Sequence, residues 1–273
     1  MKRLELGGKY TLVTGASSGL GLELARLVAR EHRGNLVLVA RRQDRLEALA
    51  EELRREHKVE VQCLPADLTR PEDVTRVFEE STRGRRIHAA ILNAGVSYFG
   101  PSLGLGFEDF EKLLATNVTS VFYLAQRFAA HLLEPDAGGG GGVMLVSSLA
   151  GTMPMTYQAA YGGTKAFLNG YGVALGQELG ARGVGVTVFV PGGIATEMGQ
   201  KSGTARKFKK GDMGMMDADE CARVALGGFL ARRRFVVPGA LNQLSDFLLR
   251  FLPRTAAAAM TERIYRGALP PGT

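Results

Sequence analysis

Short unbroken apolar runs alternate along this chain with longer segments whose apolar residues recur at helical spacing. Residues 10–14 make the first run, which ends in Gly15-Ala16-Ser17-Ser18-Gly19-Leu20-Gly21. Leu20, Leu24, Leu27 and Val28 then share one helical stripe, so a helix follows the turn directly. Gly34-Asn35 punctuates, and 36–40 is a second apolar strand. Residues 43–56 form a charged helix with Leu46, Leu49, Ala50 and Leu53 on its apolar face. A third strand covers 59–64, and Pro71 opens a helix, as proline does in a first turn, with Val74, Val77 and Phe78 facing inward. A fourth strand covers 87–92.

The second half repeats the theme. Helices are predicted over 107–117 and 118–133, and 134–142 is a Pro/Gly-rich loop whose glycine run reads as a flexible surface turn. A strand at 143–146 precedes a long helix over 158–181, with Gly183 as its stop signal. Residues 185–190 form another buried strand, closed by Pro191-Gly192-Gly193. A helix over 217–231 and a short strand over 235–237 complete the series.

Strands that are continuously apolar and separated by helices imply a parallel sheet covered on both faces. The expected fold is a doubly wound α/β sheet, a Rossmann-type three-layer sandwich. A chain of 273 residues can bury one large core, and neither a composition break nor a repeat marks a second domain. The expectation is a single domain over 1–273. Within it, about 9–198 is a cofactor-binding and catalytic core, 199–238 a substrate lid and last strand, and 239–273 a C-terminal helical extension.

The net charge of +7 and pI of about 9.6 favour anionic partners. The bases are scattered and tryptophan is absent, so there is no aromatic-studded basic stripe and no nucleic-acid partner is expected. Cys63 and Cys221 lie far apart without metal-ligand spacing, which predicts free thiols in a reducing compartment and no metal site. The opening residues carry no apolar signal-peptide region, and no apolar run approaches the roughly 20 residues of a membrane span. A cytoplasmic protein is expected.

Ligands of an open parallel sheet bind beyond the carboxyl ends of its strands. The first such end carries Thr14-Gly15-x-x-x-Gly19-x-Gly21 between strand and helix. There glycines let the backbone approach a pyrophosphate, and the positive helix N-terminus stabilises its charge. NAD sites place an acid about 20 residues on, against the ribose hydroxyls. Here the second strand ends in Arg41 and Arg42, which would pair with a 2′-phosphate. NADP(H) is therefore favoured over NAD(H).

Tyr161 and Lys165 are four apart on a predicted helix, one above the other on one face. A free tyrosine has a pKa of about 10, and a neighbouring cation is expected to bring it toward the working range. Ser148 comes from the preceding loop; neighbouring Ser147 is its obvious confounder.

Together these motifs resemble the short-chain dehydrogenase/reductase family of the classical type, from about Lys9 to Met198. The resemblance rests on the glycine motif from Thr14 to Gly21, on Ala66-Asp67-Leu68, and on Asn93-Ala94-Gly95. It rests equally on Asn117, on the thirteen positions between Ser148 and Tyr161, and on Pro191-Gly192 with Ile194 and Thr196. It implies that Tyr161 exchanges a proton with the substrate oxygen, that Lys165 lowers its pKa and holds the nicotinamide ribose, and that Ser148 polarises the oxygen. It further implies that Asn117 positions a water linking Lys165 to solvent. The same resemblance gives the cofactor residues as Gly15, Ser17, Ser18, Gly19, Leu20, Gly21, Asp67, Leu68, Asn93, Ala94, Gly95, Pro191, Gly192, Ile194 and Thr196, with Arg41, Arg42, Tyr161 and Lys165. Leu92 stands where the family often has a second asparagine. The expected activity is NADP(H)-dependent hydride transfer to a carbonyl or from a secondary alcohol, independent of any metal. A non-enzymatic NADPH-binding module for regulation or assembly is the alternative, against which the four-residue set argues. An NDP-sugar epimerase fits poorly, since such chains carry a larger C-terminal substrate domain.

Six of the nine methionines, Met153, Met155, Met198, Met213, Met215 and Met216, fall near the site or after Thr196. Flexible and polarisable, they suit an adaptable apolar pocket. This predicts a loop-like lid at 213–216 over a bulky apolar or lipid-like carbonyl compound, with Met153 and Met198 beside Ser148 and Tyr161. Residues 201–210 hold five bases and no acid and read as a solvated lid or an anionic contact. Leu241, Leu244, Phe247, Leu248, Phe251 and Leu252 make one helical face. That face is expected to pack on the core or on a partner subunit, with peripheral membrane contact as the alternative. A homodimer or homotetramer is the expected assembly.

Overall fold

The structure is a computed structural model and describes residues 2–134, 140–197, 215–249 and 251–269. In chain order the strands and helices of its first half are β1 (Tyr10–Thr14), α1 (Gly19–His32), β2 (Asn35–Ala40), α2 (Gln43–His57), β3 (Val61–Pro65), α3 (Pro71–Thr82), β4 (Ile87–Leu92), α4 (Phe107–Leu114) and α5 (Ser120–Leu133). The second half comprises β5 (Gly142–Val146), α6 (Ala159–Gly180), β6 (Gly185–Phe189), β7 (Gly193–Ile194), β8 (Met215–Met216), α7 (Ala218–Leu230), β9 (Phe235–Val236), α8 (Ala240–Leu249) and α9 (Arg254–Tyr265).

Seven strands form one sheet in the order β3-β2-β1-β4-β5-β6-β9, and all its pairings are parallel. Strand β2 shows why the apolar runs are continuous. Leu36, Leu38 and Ala40 enter one core with Leu24, Leu27, Leu46, Leu53, Leu226 and Phe229. Val37 and Val39 point the other way, into a core with Val74, Val77, Leu124, Phe128 and Leu168. A doubly covered strand must be apolar at every position, and each helix closing a face brings one stripe. The strand order reverses between β1 and β4, and the crevice there is where an α/β sheet binds its ligands.

Most element ends lie within two residues of expectation. Some expectations fail. Helices 107–117 and 118–133 do not break at Asn117: α4 runs into α5 through a π-helical turn, Ala115–Thr119. Residues 215–216 are not loop: β8 pairs with β7, and Met216 and Ile194 pack on the first core. The expected lid residues 198–214, Met198 among them, lie outside the described residues, as do Gly138 and Gly139; the rest of the glycine run is not a surface turn, since Gly141 and Gly142 are buried and Gly142 opens β5.

Helix α8 excludes one of its expected placements. Its apolar residues face outward, with Leu241 44%, Leu244 54%, Phe247 56% and Leu248 56% exposed, followed by Phe251 at 75%. Its polar residues Asn242 and Asp246 turn inward instead. Asn242 Nδ2 donates to Pro238 O at 3.0 Å and lies against Gly192, where an added Cβ would come within 2.8 Å. Packing of this apolar face on the core does not occur. No described helix is long and apolar enough to cross a membrane, and no group of potential metal ligands assembles among the described residues.

Candidate active site

At the carboxyl end of β1, Gly15 has φ of +69°, and a Cβ there would lie 2.8 Å from Asn93 Nδ2. At Gly21 it would lie 2.4 Å from Gly15 O, so α1 can approach the strand only without a side chain. Asn93 ties the two central strands together: its amide donates to Thr14 O at 2.9 Å, while Thr14 Oγ1 accepts from the backbone of Asn93 (2.9 Å) and Ala94 (3.0 Å). The N-terminus of α1 has no side-chain cap at Ser18 and no acid in its first turn. Its free N–H groups and dipole thus face the crevice without a negative neighbour of their own helix, a fitting place for a pyrophosphate.

The two arginines differ. Arg41 is exposed to solvent. Arg42 folds over the glycine turn, donating to Ser17 Oγ at 3.0 Å and Ser18 Oγ at 2.9 Å. It also pairs with Glu197 at 2.9 Å, and Arg45 pairs with the same carboxylate at 2.6 Å. These two guanidiniums hold Glu197 down to about 2. Thr196 crosses the turn as well, its methyl 3.0 Å from where a Gly19 Cβ would be. Ile194 sits behind it on β7. Pro191 O accepts from Leu149 N at 2.9 Å, linking this segment to the loop after β5. Asp67 Oδ1 accepts from the backbone (3.0 Å) and hydroxyl (2.9 Å) of Thr69, closing a turn after β3. Leu68 is buried in the second core.

Tyr161 and Lys165 share the inner face of α6. The helix lies close to the loop after β5 because Gly151 and Gly162 are bare: a Cβ on Gly151 would come within 2.5 Å of the Lys165 backbone. Ser147 is a structural residue, its hydroxyl donating to Lys165 O at 2.9 Å. Ser148 is the one that faces the Tyr161 hydroxyl and favours its ionised form, and it accepts from Ala150 N at 3.2 Å. Lys165 is 4% exposed, donates to Val146 O at 3.0 Å and stands 5.8 Å from the Tyr161 ring centre.

Burial corrects the expected pKa order. Desolvation raises the Tyr161 phenol above its ordinary value, and the Ser148 hydroxyl opposes this only in part. Desolvation lowers Lys165 to about 8. Both groups sit in a poor medium for charge, and this works against the lowering expected of the neighbouring cation.

Asn117 is fully buried. Its Oδ1 accepts from Val96 N at 2.9 Å, and its Nδ2 donates to Val96 O at 2.8 Å and Thr164 Oγ1 at 3.1 Å. The side chain thus pairs with one backbone residue as a strand would, fixing the loop after β4 to α6. The extra residue of the π-helical turn is where such re-aimed side chains occur. Around Gly95 these parts meet: a Cβ there would lie 3.3 Å from Asn117 Oδ1 and 3.5 Å from Lys165 Nζ.

The wall around Tyr161 is apolar: Leu113, Ala150 and Met155, with Val96, Met153 and Tyr265 packed against them. Met153 is where it was expected. Tyr265, Glu197 and Arg45 were not anticipated. Glu197 follows Thr196 directly, and an acid so near the glycine-turn segment was a usable signal; nothing local marks Tyr265.

The sequence pattern of short chain dehydrogenases matches residues 9–207. The chain belongs to the short-chain dehydrogenase family. This short-chain dehydrogenase is 33% identical over 223 residues to a very-long-chain 3-oxoacyl-CoA reductase of Podospora anserina, covering 78% of this chain and 64% of that one. The match with the corresponding Danio rerio reductase covers 60% of that relative's length, so the chain spans less than two thirds of these enzymes. Among solved structures it is similar to a short-chain dehydrogenase from Sphingobium yanoikuyae in complex with NADPH, at 33% identity and a TM-score of 0.78, covering 92% of this chain and 98% of that one. It is also similar to a bulky-bulky ketone specific alcohol dehydrogenase from Comamonas testosteroni, at 29% identity and a TM-score of 0.75, covering 93% and 98%. As a member of this family it is an oxidoreductase acting on carbonyl or alcohol groups.

Proposed function

We propose that this enzyme transfers a hydride between NADP(H) and a carbonyl or secondary alcohol on a bulky, apolar, lipid-like substrate. One observation carries the reading: Tyr161 and a buried Lys165 side by side on α6, with Ser148 delivered from the loop after β5, in an apolar wall at the carboxyl edge of the sheet. The nicotinamide, when bound, supplies or accepts the hydride. The chain's part is the proton. As the carbonyl oxygen gains negative charge, Ser148 donates a hydrogen bond to it and Tyr161 passes its proton to it. A phenol kept protonated by burial is in the right state to be that donor. Lys165 supplies positive charge to the resulting phenolate, and Asn117 fixes the loop and helix that hold the pair.

Preference for NADP(H) rests on Arg42 over the glycine turn, with Arg45 beside it, where an added phosphate finds two guanidiniums. The NADPH bound in the Sphingobium relative agrees with it. A bulky apolar substrate is supported by the Leu113, Met153 and Met155 wall and by the similarity to the bulky-bulky ketone specific Comamonas enzyme.

The reading extends to assembly as a homo-oligomer of one cytoplasmic domain. Two separate apolar faces are open: the α5/α6 strip of Phe122, Tyr171 and Phe167, and the outer face of α8. Two self-complementary faces are what a tetramer covers. Helix α8 holds no Lys or Arg, unlike the basic polar faces of membrane-surface helices, so we read it as a contact for a second copy.

The test is NADPH oxidation on a panel of ketones. Wild type is expected to turn over the bulkier members. Tyr161→Phe is expected to abolish turnover while NADPH binding stays nearly intact. A fully active Tyr161→Phe refutes the mechanism, and NADPH binding without turnover of any ketone by wild type would favour the binding-module alternative.

A further inference from the structure

The C-terminal tail doubles back onto the loop that leads into α6. Thr156 N donates to Thr261 Oγ1 at 3.1 Å, and Thr156 Oγ1 donates to Ala258 O at 2.8 Å. Thr261 is 2% exposed, with its oxygen 3.2 Å from Pro154 O. The next residue, Glu262, accepts from the Tyr157 hydroxyl at 3.1 Å and from Arg266 Nε at 2.6 Å. Tyr157 itself has φ of +66°, a left-handed conformation unusual for a bulky side chain. Its carbonyl is held by Gly100 N at 2.8 Å. The loop 153–158 is thus gripped by α9 from one side and by the loop around Gly100 from the other.

That grip seats Tyr265 against Leu113, Ala150, Met155 and Tyr161. Its ring lies 5.9 Å from the Phe99 ring, tilted by 52°, and Phe99 meets Tyr157 at 6.5 Å. An aromatic side chain from the end of the chain therefore lies in the same apolar cluster as the candidate proton donor. Tyr265 also falls beyond residues 9–207, outside the shared pattern of the family. A contact supplied from outside that pattern is a place where this chain can differ from its relatives.

We propose that Tyr265 is a specificity-determining residue: with Phe99 it forms the distal aromatic wall of the carbonyl site, against which the larger apolar substituent of the ketone rests. The proposal builds on the reading of that site given above. The wall is set by α9 and held by the clasp of Thr156 with Thr261 and Tyr157 with Glu262. A flat ring there favours a flat or extended apolar group by area and by edge contacts, and a compact ketone offers it less area to cover.

The experiment measures ketone binding separately from turnover, using dead-end complexes of the full chain with NADP+, in which a ketone cannot react. Hexyl phenyl ketone and cyclohexanone are the two probes. Tyr265→Ala is expected to weaken hexyl phenyl ketone about tenfold and cyclohexanone less than about twofold, the scale of uncovering one aromatic contact. NADPH affinity should stay unchanged, and Tyr265→Phe should behave as wild type. Tyr265→Leu keeps an apolar volume should the alanine variant not fold, and is expected to move the same ratio in the same direction. Equal weakening of both ketones, or no binding of either to wild type, overturns the wall. Selective binding through Tyr265 without turnover leaves the wall standing and sinks the proposed activity; turnover indifferent to Tyr265 does the reverse.

Discussion

Lys165 is the residue whose replacement tests the physics of the site most directly. It keeps an ammonium at 4% exposure with Val146 O as its hydrogen-bond acceptor. Desolvation takes it from an ordinary 10.5 to about 8. At about 1.4 kcal/mol per pH unit, holding the charged form there costs the cofactor-free fold about 3 kcal/mol. Lys165→Met keeps the length and removes the charge. Below pH 8 the lysine is protonated in both folded and unfolded chains, so the full cost is present. Between 8 and 10.5 the folded chain releases the proton and the unfolded chain retains it. The unfolded state then binds more protons, so stability rises with pH and the cost disappears. Relative to Lys165→Met, wild type should gain about 2–3 kcal/mol between pH 7 and pH 10. The Met variant also leaves the Val146 carbonyl short of a donor, at about 1–3 kcal/mol. That loss does not depend on pH and cancels in the comparison. Urea unfolding of both proteins without cofactor at pH 7, 8, 9 and 10 supplies the numbers. Parallel stability curves would refute the argument. The variant is expected to be inactive even where it is the more stable protein, a local cost retained for function.

Two further outcomes follow from the charged and apolar surfaces. Arg42→Ala should weaken NADPH binding about 10- to 100-fold, the scale of charge-assisted hydrogen bonds, with little effect on NADH, as read by fluorescence titration. Glu197→Gln should strengthen NADPH binding several-fold, since that carboxylate occupies both Arg42 and Arg45. Acidification to pH 5 should not mimic the variant, because Glu197 is held down to about 2. Equal changes for both cofactors would dismiss the 2′-phosphate assignment. For α8, light scattering of wild type is expected to show an oligomer whose mass halves in Phe247→Asp. A monomeric wild type, or one recovered on anionic vesicles through this face, would overturn the subunit reading.

What the sequence showed plainly was whatever depends on short separations. Each strand of the buried sheet is apolar at successive positions because both its faces are covered, so β2 needed no tertiary knowledge to be recognised. The glycine turn, the four-residue step from Tyr161 to Lys165 and the interval back to Ser148 are likewise local. What was hidden depends on partners distant along the chain. Arg42 meets an acid 155 residues away, and Thr156 meets Thr261 across 105. Periodicity also cannot register the single extra residue that turns the predicted break at Asn117 into a π-helical turn with its amide paired to Val96.

Two local rules met surroundings that the sequence did not show. A helical stripe of leucine and phenylalanine in α8 was expected to pack on the core or on a partner subunit, and a lysine beside a tyrosine was expected to lower its pKa. Both rules assume the surroundings: that the core is the only apolar partner, and that the medium around two charges is ordinary. In α8 the inner neighbours are Pro238 O and the crowded backbone at Gly192, which demand a compact hydrogen-bonding side chain such as Asn242. In α6 the neighbours of Tyr161 are Leu113, Ala150 and Met155, and their apolar bulk raises the phenol while lowering the ammonium. Sequence spacing fixes which groups meet. Whether a meeting favours charge or opposes it, and whether a stripe faces in or out, is decided by what surrounds them. The positions where the two disagree, Lys165 and the α8 face, are therefore the ones to test first for function.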